Sequence, residues 1–324
     1  MAHASLAGLL ESSYNDLVAV ITNLRLKPPT SFDFASTAYS HGWAVLLPNS
    51  WDGEAQVMQR IERLSNGEVV LLDISGKGTA KDARIEISVQ SSSKLDEQVR
   101  NEIKTAVSQM FRLDQDLSEF YKLCRKKGGT WRQVTKGMGR LLASPTVFED
   151  VVKTICTTNI QWGGTKRMVA GLVEALGYPY AEDEELRAFP TSEVIAALAP
   201  EMYIDTIRLG YRGPYIYELA SRVAEGELDL EAFRDRSIPT EELRKQLLAI
   251  KGIGAYAAAV MLSLLGRYDD IAADTVFCDF VTRRYFGGKR PEHAEALAVY
   301  DDWGQWKALA YWFDMWLESQ DEEI

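Results

Sequence analysis

Two features of this 324-residue chain carry chemistry that the rest does not. One is Asp274, a carboxylate in the apolar setting Ile271-Ala272-Ala273-Asp274-Thr275. The other is the turn Gly252-Ile253-Gly254, which leads into a run of small apolar residues from Ala255 to Leu265. A carboxylate held close to a reacting centre can stabilise developing positive charge or orient and deprotonate a water. A Gly-x-Gly turn at the start of a helix leaves a nest of free backbone N–H groups, an anion site suited to a nucleic-acid phosphate.

The elements that must position them are two helices and a hairpin, at about residues 240–266. Thr240 reads as an N-cap, with Glu241 and Glu242 in the first turn of a helix that runs to Ile250. Gly252 and Gly254 break it where φ > 0 costs glycine little. A second helix then spans Ala255 to about Leu265, and Gly266 stops it. Alanines at 255 and 257–259 let the two helices approach closely.

This arrangement resembles the helix-hairpin-helix (HhH-GPD) DNA glycosylase superfamily, in particular its alkylpurine (3-methyladenine) and 8-oxoguanine branches. There a Gly/Pro-rich loop and an obligatory aspartate follow the hairpin, and Asp274 falls at the place of that catalytic residue. Members that also cut the strand carry a lysine two residues after the second hairpin glycine. Tyr256 occupies that position here, 18 residues before Asp274, and Lys251 lies ahead of the turn. Without an amine at 256 there is no Schiff base to form. The resemblance therefore implies a monofunctional DNA glycosylase without AP-lyase activity, which flips a base out of the duplex, hydrolyses its N-glycosidic bond and leaves an abasic site.

Three more stretches carry the resemblance. Ser144-Pro145 opens a helix ending near Ile155-Cys156-Thr157-Thr158-Asn159; Asn159, Ile160 and Gln161 match the residues that fill the gap left by an extruded nucleotide. Taken alone, Asn159 reads more readily as a helix C-cap. Leu209-Gly210-Tyr211-Arg212 matches a stretch whose aromatic ring wedges into the stack and whose arginine reaches the base left behind, with Pro214 consistent with a presenting loop. Tyr211 and Arg212 inherit those roles; a core tyrosine and a surface arginine are the plain alternative. The aromatic run Trp303 to Trp316 has helical spacing, which usually means core packing. Matched on Trp306, it places Trp312 where a ring stacks on the flipped base. Ala308 then stands where 8-oxoguanine enzymes have a glutamine, and Val260 where they have a cysteine. The implied base pocket of Tyr256, Val260, Ala308 and Trp312 is roomier and lacks the polar groups that discriminate 8-oxoguanine.

The fold class expected is α+β, with an antiparallel sheet domain over 1–95 and an all-helical glycosylase domain over 96–324. Residues 5–25 fit a strand or a helix. Strand patterns cover 43–48, 67–75 and 83–89, with a hairpin tip at 73–82. From Asp96 the period changes, and Ile103, Val107, Met110 and Phe111 share one helical face.

Composition is that of an ordinary globular protein, 46% apolar and 26% charged. No apolar run approaches a membrane span, and the first residues lack a signal-peptide pattern, so a cytoplasmic location is expected. Three cysteines exclude a disulfide framework and a four-cysteine zinc or iron–sulfur site built by this chain alone. Three histidines, His3, His41 and His293, give no triad or metal spacing, and no P-loop is present. A net charge of −11 is unfavourable for a DNA-binding protein. Yet residues 100–170 hold 13 Lys and Arg against 6 Asp and Glu, densest at Lys122, Arg125, Lys126 and Lys127. Such a run fits a phosphate-binding strip or a solvated helix face about equally.

The expected partner is double-stranded DNA containing a modified base, bound by a monomer with no membrane contact. No cofactor is required; a monovalent cation (K+ or Na+) at the hairpin is compatible with the resemblance. An alkylated purine is the first choice of base, with a mismatched or oxidised base, or a bulky modified base of foreign DNA, left open. A non-catalytic damage-binding module, with Asp274 as a helix N-cap, and a hairpin serving protein contacts are the readings of another class.

Overall fold

The computed structural model describes residues 19–78 and 82–321; the stretch 5–18, read as strand or helix, lies outside them. The fold is α+β. Strands β1 (Val20–Leu26), β2 (Asn49–Asp52), β3 (Val57–Arg63), β4 (Val69–Lys77) and β5 (Arg84–Ser91) form an antiparallel sheet in the order β1-β5-β4-β3-β2. On β4 and β5 alternate residues are buried, Val70, Leu72 and Ile74 on one strand and Ile85, Ile87 and Val89 on the other, with Leu72 opposite Val89 and Ile74 opposite Ile87. That face packs on the helix Glu97–Met110 through Val99, Ile103, Val107 and Met110. Asp96 starts this helix by accepting the Val99 N–H at 2.9 Å.

Several expectations are corrected. Residues 43–48 are not a strand: Gly42–Val45 forms a 3-10 turn, and the strand begins at Asn49. Trp43 turns inward to donate Nε1–H to Asp150 at 2.8 Å, while Asn49 Nδ2 donates to the Trp43 carbonyl at 3.1 Å. Strand β3 carries no alternating apolar signal because its inward residues include Arg60, which is buried and paired. The β4–β5 tip is shorter than 73–82, since β4 runs on to Lys77.

The second half is mainly helical but not all-helical. β6 (Tyr178–Tyr180) and β7 (Asp183–Ala188) form a small antiparallel ribbon whose Tyr180 and Ala188 pack with Ile61 of β3. Its acidic, exposed Asp183-Glu184-Glu185 carries no strand pattern, which hides it from periodicity. No helix among the described residues is long and apolar enough to cross a membrane.

Packing divides the molecule differently from secondary structure. One core joins the sheet to the helices Glu97–Met110, Val147–Thr157 and Ala255–Leu264. A second gathers Leu117 to Leu141 with Tyr268 to Leu317, including the aromatic rings of Phe120, Trp131, Trp303 and Phe313. The seam between these cores is where the candidate site lies.

Candidate active site

The hairpin is built as the residues demand. Helices Thr240–Leu248 and Ala255–Leu264 flank it; Thr240 is the first helical residue, with Pro239 as N-cap, and the first helix stops two residues short of Ile250. Only one glycine needs its freedom. Gly252 has φ 92°, and a Cβ there would meet the Tyr215 ring at 2.8 Å. Gly254 has φ −90°, and a Cβ there would meet nothing within 4 Å. Gly252→Ala is therefore expected to cost about 1–2 kcal/mol and weaken DNA binding, and Gly254→Ala only a few tenths; thermal melting and duplex titration of the two variants check this. Ile253 is buried in the first core, so only its backbone is available to a phosphate.

The second helix begins without a side-chain cap, which leaves its first N–H groups open to a ligand. They face a groove of about 760 Å³ lined by Thr157–Ile160, Tyr211, Tyr215, Gly252–Ala257 and Ala273–Thr275. The helix Val147–Thr157 delivers one side of it, starting not at Ser144-Pro145 but at Thr146, whose Oγ1 accepts the Glu149 N–H at 3.2 Å. Beyond its end Asn159 takes φ 48°, a left-handed conformation that Asn tolerates. Asn159 Nδ2 donates to the Tyr211 hydroxyl at 3.3 Å, which ties together the two residues expected to hold the duplex open. Asn159, Ile160 and Tyr211 are exposed. Gln161 is exposed but does not line the groove; it precedes the next helix, where its carbonyl accepts the Gly164 N–H at 2.8 Å.

Arg212 is corrected. It is buried, at the start of the helix Arg212–Ala224 rather than in a presenting loop. Its guanidinium donates to the Thr158 carbonyl and lies 4.4 Å from the centre of the Tyr211 ring. The residue braces the groove wall instead of reaching a base.

A pocket of about 470 Å³ opens beside the groove, within the usual range for ligand pockets of roughly 300–1,000 Å³. Tyr256, Val260, Ala308 and Trp312, expected as the base pocket, all line it. Thr157, Ile160, Tyr256 and Asp274 line both pocket and groove, so Asp274 stands where the two meet. The aromatic C-terminal stripe divides accordingly: Trp303 and Phe313 enter the second core, and Trp312 turns to the pocket.

Asp274 is half-buried and does serve as an N-cap. Its Oδ1 accepts the Phe277 N–H at 2.9 Å, at the head of the helix Thr275–Tyr285. Capping uses one carboxylate oxygen, and Oδ2 is not part of that bond. Burial and the neighbouring Asp274 charge raise the Tyr256 phenol, so it stays protonated at neutral pH. Among the described residues, no Lys or Arg lines the pocket or the groove. Of the basic surplus in residues 100–170, Arg112, Arg140 and Lys153 are buried in the interior.

No protein-family model matches the chain. It is 25% identical to the DNA-3-methyladenine glycosylase of Bacillus subtilis over 222 residues, 66% of this chain and 71% of that one. Its fold is similar to the 3-methyladenine DNA-glycosylase from Archaeoglobus fulgidus, with TM-score 0.69 and 19% identity over 92% of this chain and 98% of that one. In sequence and fold, the chain is similar to DNA glycosylases of the helix-hairpin-helix superfamily. Similarity extends to a second branch of that superfamily. The Clostridium acetobutylicum 8-oxoguanine glycosylase/lyase, in complex with double-stranded DNA containing cytosine opposite 8-oxoguanine, matches with TM-score 0.57 and 19% identity, over 82% of this chain and 89% of that one.

The superfamily hairpin and aspartate account for one side of the pocket. The other side was not foreseen from sequence: His41 and Trp43 from the sheet half, Trp162 from the start of the helix Trp162–Leu176, and Tyr268 and Tyr311 from the second core. Trp162 packs its ring against Gly42, where an added Cβ would lie 2.2 Å from it. Its position directly after the Asn159–Gln161 loop is the one signal in the sequence that could have marked it. Among the described residues, no group of three His, Cys, Asp or Glu side chains is placed to hold a metal ion.

Proposed function

We propose that this chain is a monofunctional DNA glycosylase acting on alkylated purines in duplex DNA. The observation that carries the reading is Asp274, a carboxylate at the junction of an aromatic pocket and a groove headed by open helix N–H groups. The hairpin backbone binds a phosphate beside the target nucleotide, and Asn159, Ile160 and Tyr211 occupy the gap in the stack. The extruded base enters between Tyr256 and Trp312. As the C1′–N bond lengthens, Asp274 stabilises the oxocarbenium-like sugar and orients a water. The water oxygen bonds to C1′, its proton leaves through the carboxylate, and the bond electrons depart with the base. No cofactor enters this scheme, and K+ or Na+ on the hairpin carbonyls would serve only phosphate binding.

An alkylated purine carries positive charge and a weakened glycosidic bond. Aromatic faces without a competing cation attract such a ring and leave little activation for the protein to supply. With Tyr256 in place of an amine, no covalent sugar adduct forms.

The test incubates the protein with duplexes bearing single 3-methyladenine, 7-methylguanine, hypoxanthine, 8-oxoguanine or uracil, and reads strand breaks with and without alkali. Breaks from the alkylpurines that need alkali are expected. Breaks without alkali overturn the monofunctional reading, and binding without release of any base points to a damage-binding module. Tyr256→Lys is expected to introduce borohydride trapping on an abasic duplex, and the native chain is expected to give none.

A further inference from the structure

The pocket wall supplied by the sheet half holds His41, which the reaction scheme above does not use. Its ring is fixed by a clasp between the two halves of the molecule. His41 Nε2 lies 2.7 Å from the Leu142 carbonyl, and Ser40 Oγ accepts the Leu142 N–H at 2.9 Å. A carbonyl only accepts, so Nε2 carries the hydrogen and Nδ1 keeps its lone pair. Burial, partly offset by the Leu142 bond, lowers the imidazole to about 4, which keeps this tautomer neutral at physiological pH. The ring packs on Trp43 at 4.8 Å and meets Trp312 edge to face at 6.5 Å, beside the ring placed to stack on the base.

We propose that His41 Nδ1 is the hydrogen-bond acceptor that reads the extruded base, selecting alkylpurines with an exocyclic amino group. The assignment rests on the glycosylase reading above. Several other polar groups of the pocket are already engaged. Tyr268 exchanges hydrogen bonds with Gln115 at 2.8 and 3.0 Å, and Trp43 Nε1 serves Asp150. Thr157 and Thr165 donate to the Thr154 and Cys156 carbonyls at 2.7 and 3.1 Å. Asp274 stands at the mouth, where the sugar must lie. His41 thus offers an acceptor with no donor function of its own on that nitrogen, and an amino group is its complement. An alkylpurine lacking the amino group leaves Nδ1 unpaired in the closed site, a loss that binding elsewhere does not restore.

The experiment measures single-turnover release of 7-methylguanine against 7-methylhypoxanthine, and of 3-methyladenine against 3-methylpurine, by the native chain, His41→Ala and His41→Gln. A ratio of two rates on one protein sample is independent of the fraction folded. In at least one pair, the native chain is expected to prefer the amino-bearing base about tenfold or more. His41→Ala should bring that ratio near one, and His41→Gln, which keeps a donor for Leu142 and an acceptor oxygen, should restore part of it. Equal ratios in the native chain and His41→Ala for both pairs overturn the assignment while leaving the glycosylase reading intact. Failure of the native chain to release any of the four bases overturns both.

Discussion

Asp274→Asn is expected to slow base release by at least about 100-fold while the chain still folds and binds duplex DNA. The substitution separates two roles that one side chain fills. As an N-cap, Asp274 needs only an oxygen to accept the Phe277 N–H, and the Asn carbonyl supplies it. The stability change should stay below about 1 kcal/mol, mostly the lost attraction of a negative charge to the helix N-terminus. As the group facing the oxocarbenium-like sugar, Asp274 needs its charge, which Asn lacks. Asp274→Ala removes the cap as well and should cost about 1 kcal/mol more. Single-turnover release and thermal melting of both variants resolve the roles. Native rates in Asp274→Asn would reduce Asp274 to a cap and end the catalytic reading.

Glu149→Ala should cost about 3–5 kcal/mol, the largest loss of stability expected from a single change outside the apolar core. Glu149 is buried on the helix Val147–Thr157 and accepts from Arg60 of β3 at 2.8 and 3.1 Å and from Lys153 at 2.6 Å. Arg60 and Lys153 are themselves 2% and 0% exposed, so removing the carboxylate takes a partner from one buried cation and strands the other. Arg60 keeps Glu62 as a partner, whereas Glu149 is the only acid in a salt bridge with Lys153 among the described residues. Replacing Arg60, Glu149 and Lys153 together by apolar residues of similar volume should cost far less. Burial would raise the Glu149 carboxyl, but Arg60 and Lys153 outweigh it and bring it from 4.5 down to about 2. That contribution is present above pH 4.5 and is lost as pH falls toward 2, so native chain and variant should converge in stability across that window. Acid titration of both, followed by circular dichroism, reads the convergence. The helix concerned ends at the groove wall, so the same variant should also weaken duplex binding.

The hairpin, Asp274 and four pocket residues were legible because they belong to short contiguous motifs. In the stretch from 240 to 274, helix period, glycine placement and the spacing of a carboxylate are local properties. Trp312 and Ala308 followed from the resemblance matched on Trp306; helical spacing alone spoke for core packing. Where the reading failed, a contact from far along the chain had overridden the local pattern. Trp43 looked like a strand residue until Asp150 claimed its indole N–H. Strand β3 gave no apolar alternation because Arg60 lies on its inward face, where Glu149, 89 residues away in sequence, pairs with it. Arg212 looked exposed because its neighbours were a glycine and a proline; the Thr158 carbonyl holds it inside.

By itself, then, the sequence determined which groups are on offer: one carboxylate in an apolar setting, a Gly-x-Gly turn leading into a helix, a tyrosine rather than a lysine at 256, and an aromatic stripe near the end of the chain. Tertiary structure alone decided that these meet at a seam between two cores, and that His41, Trp43 and Trp162 close the pocket from the opposite side. The physical reason is that periodicity reports which face of an element is apolar, whereas the clasp from Ser40 and His41 to Leu142 joins residues about a hundred positions apart and leaves no periodic trace.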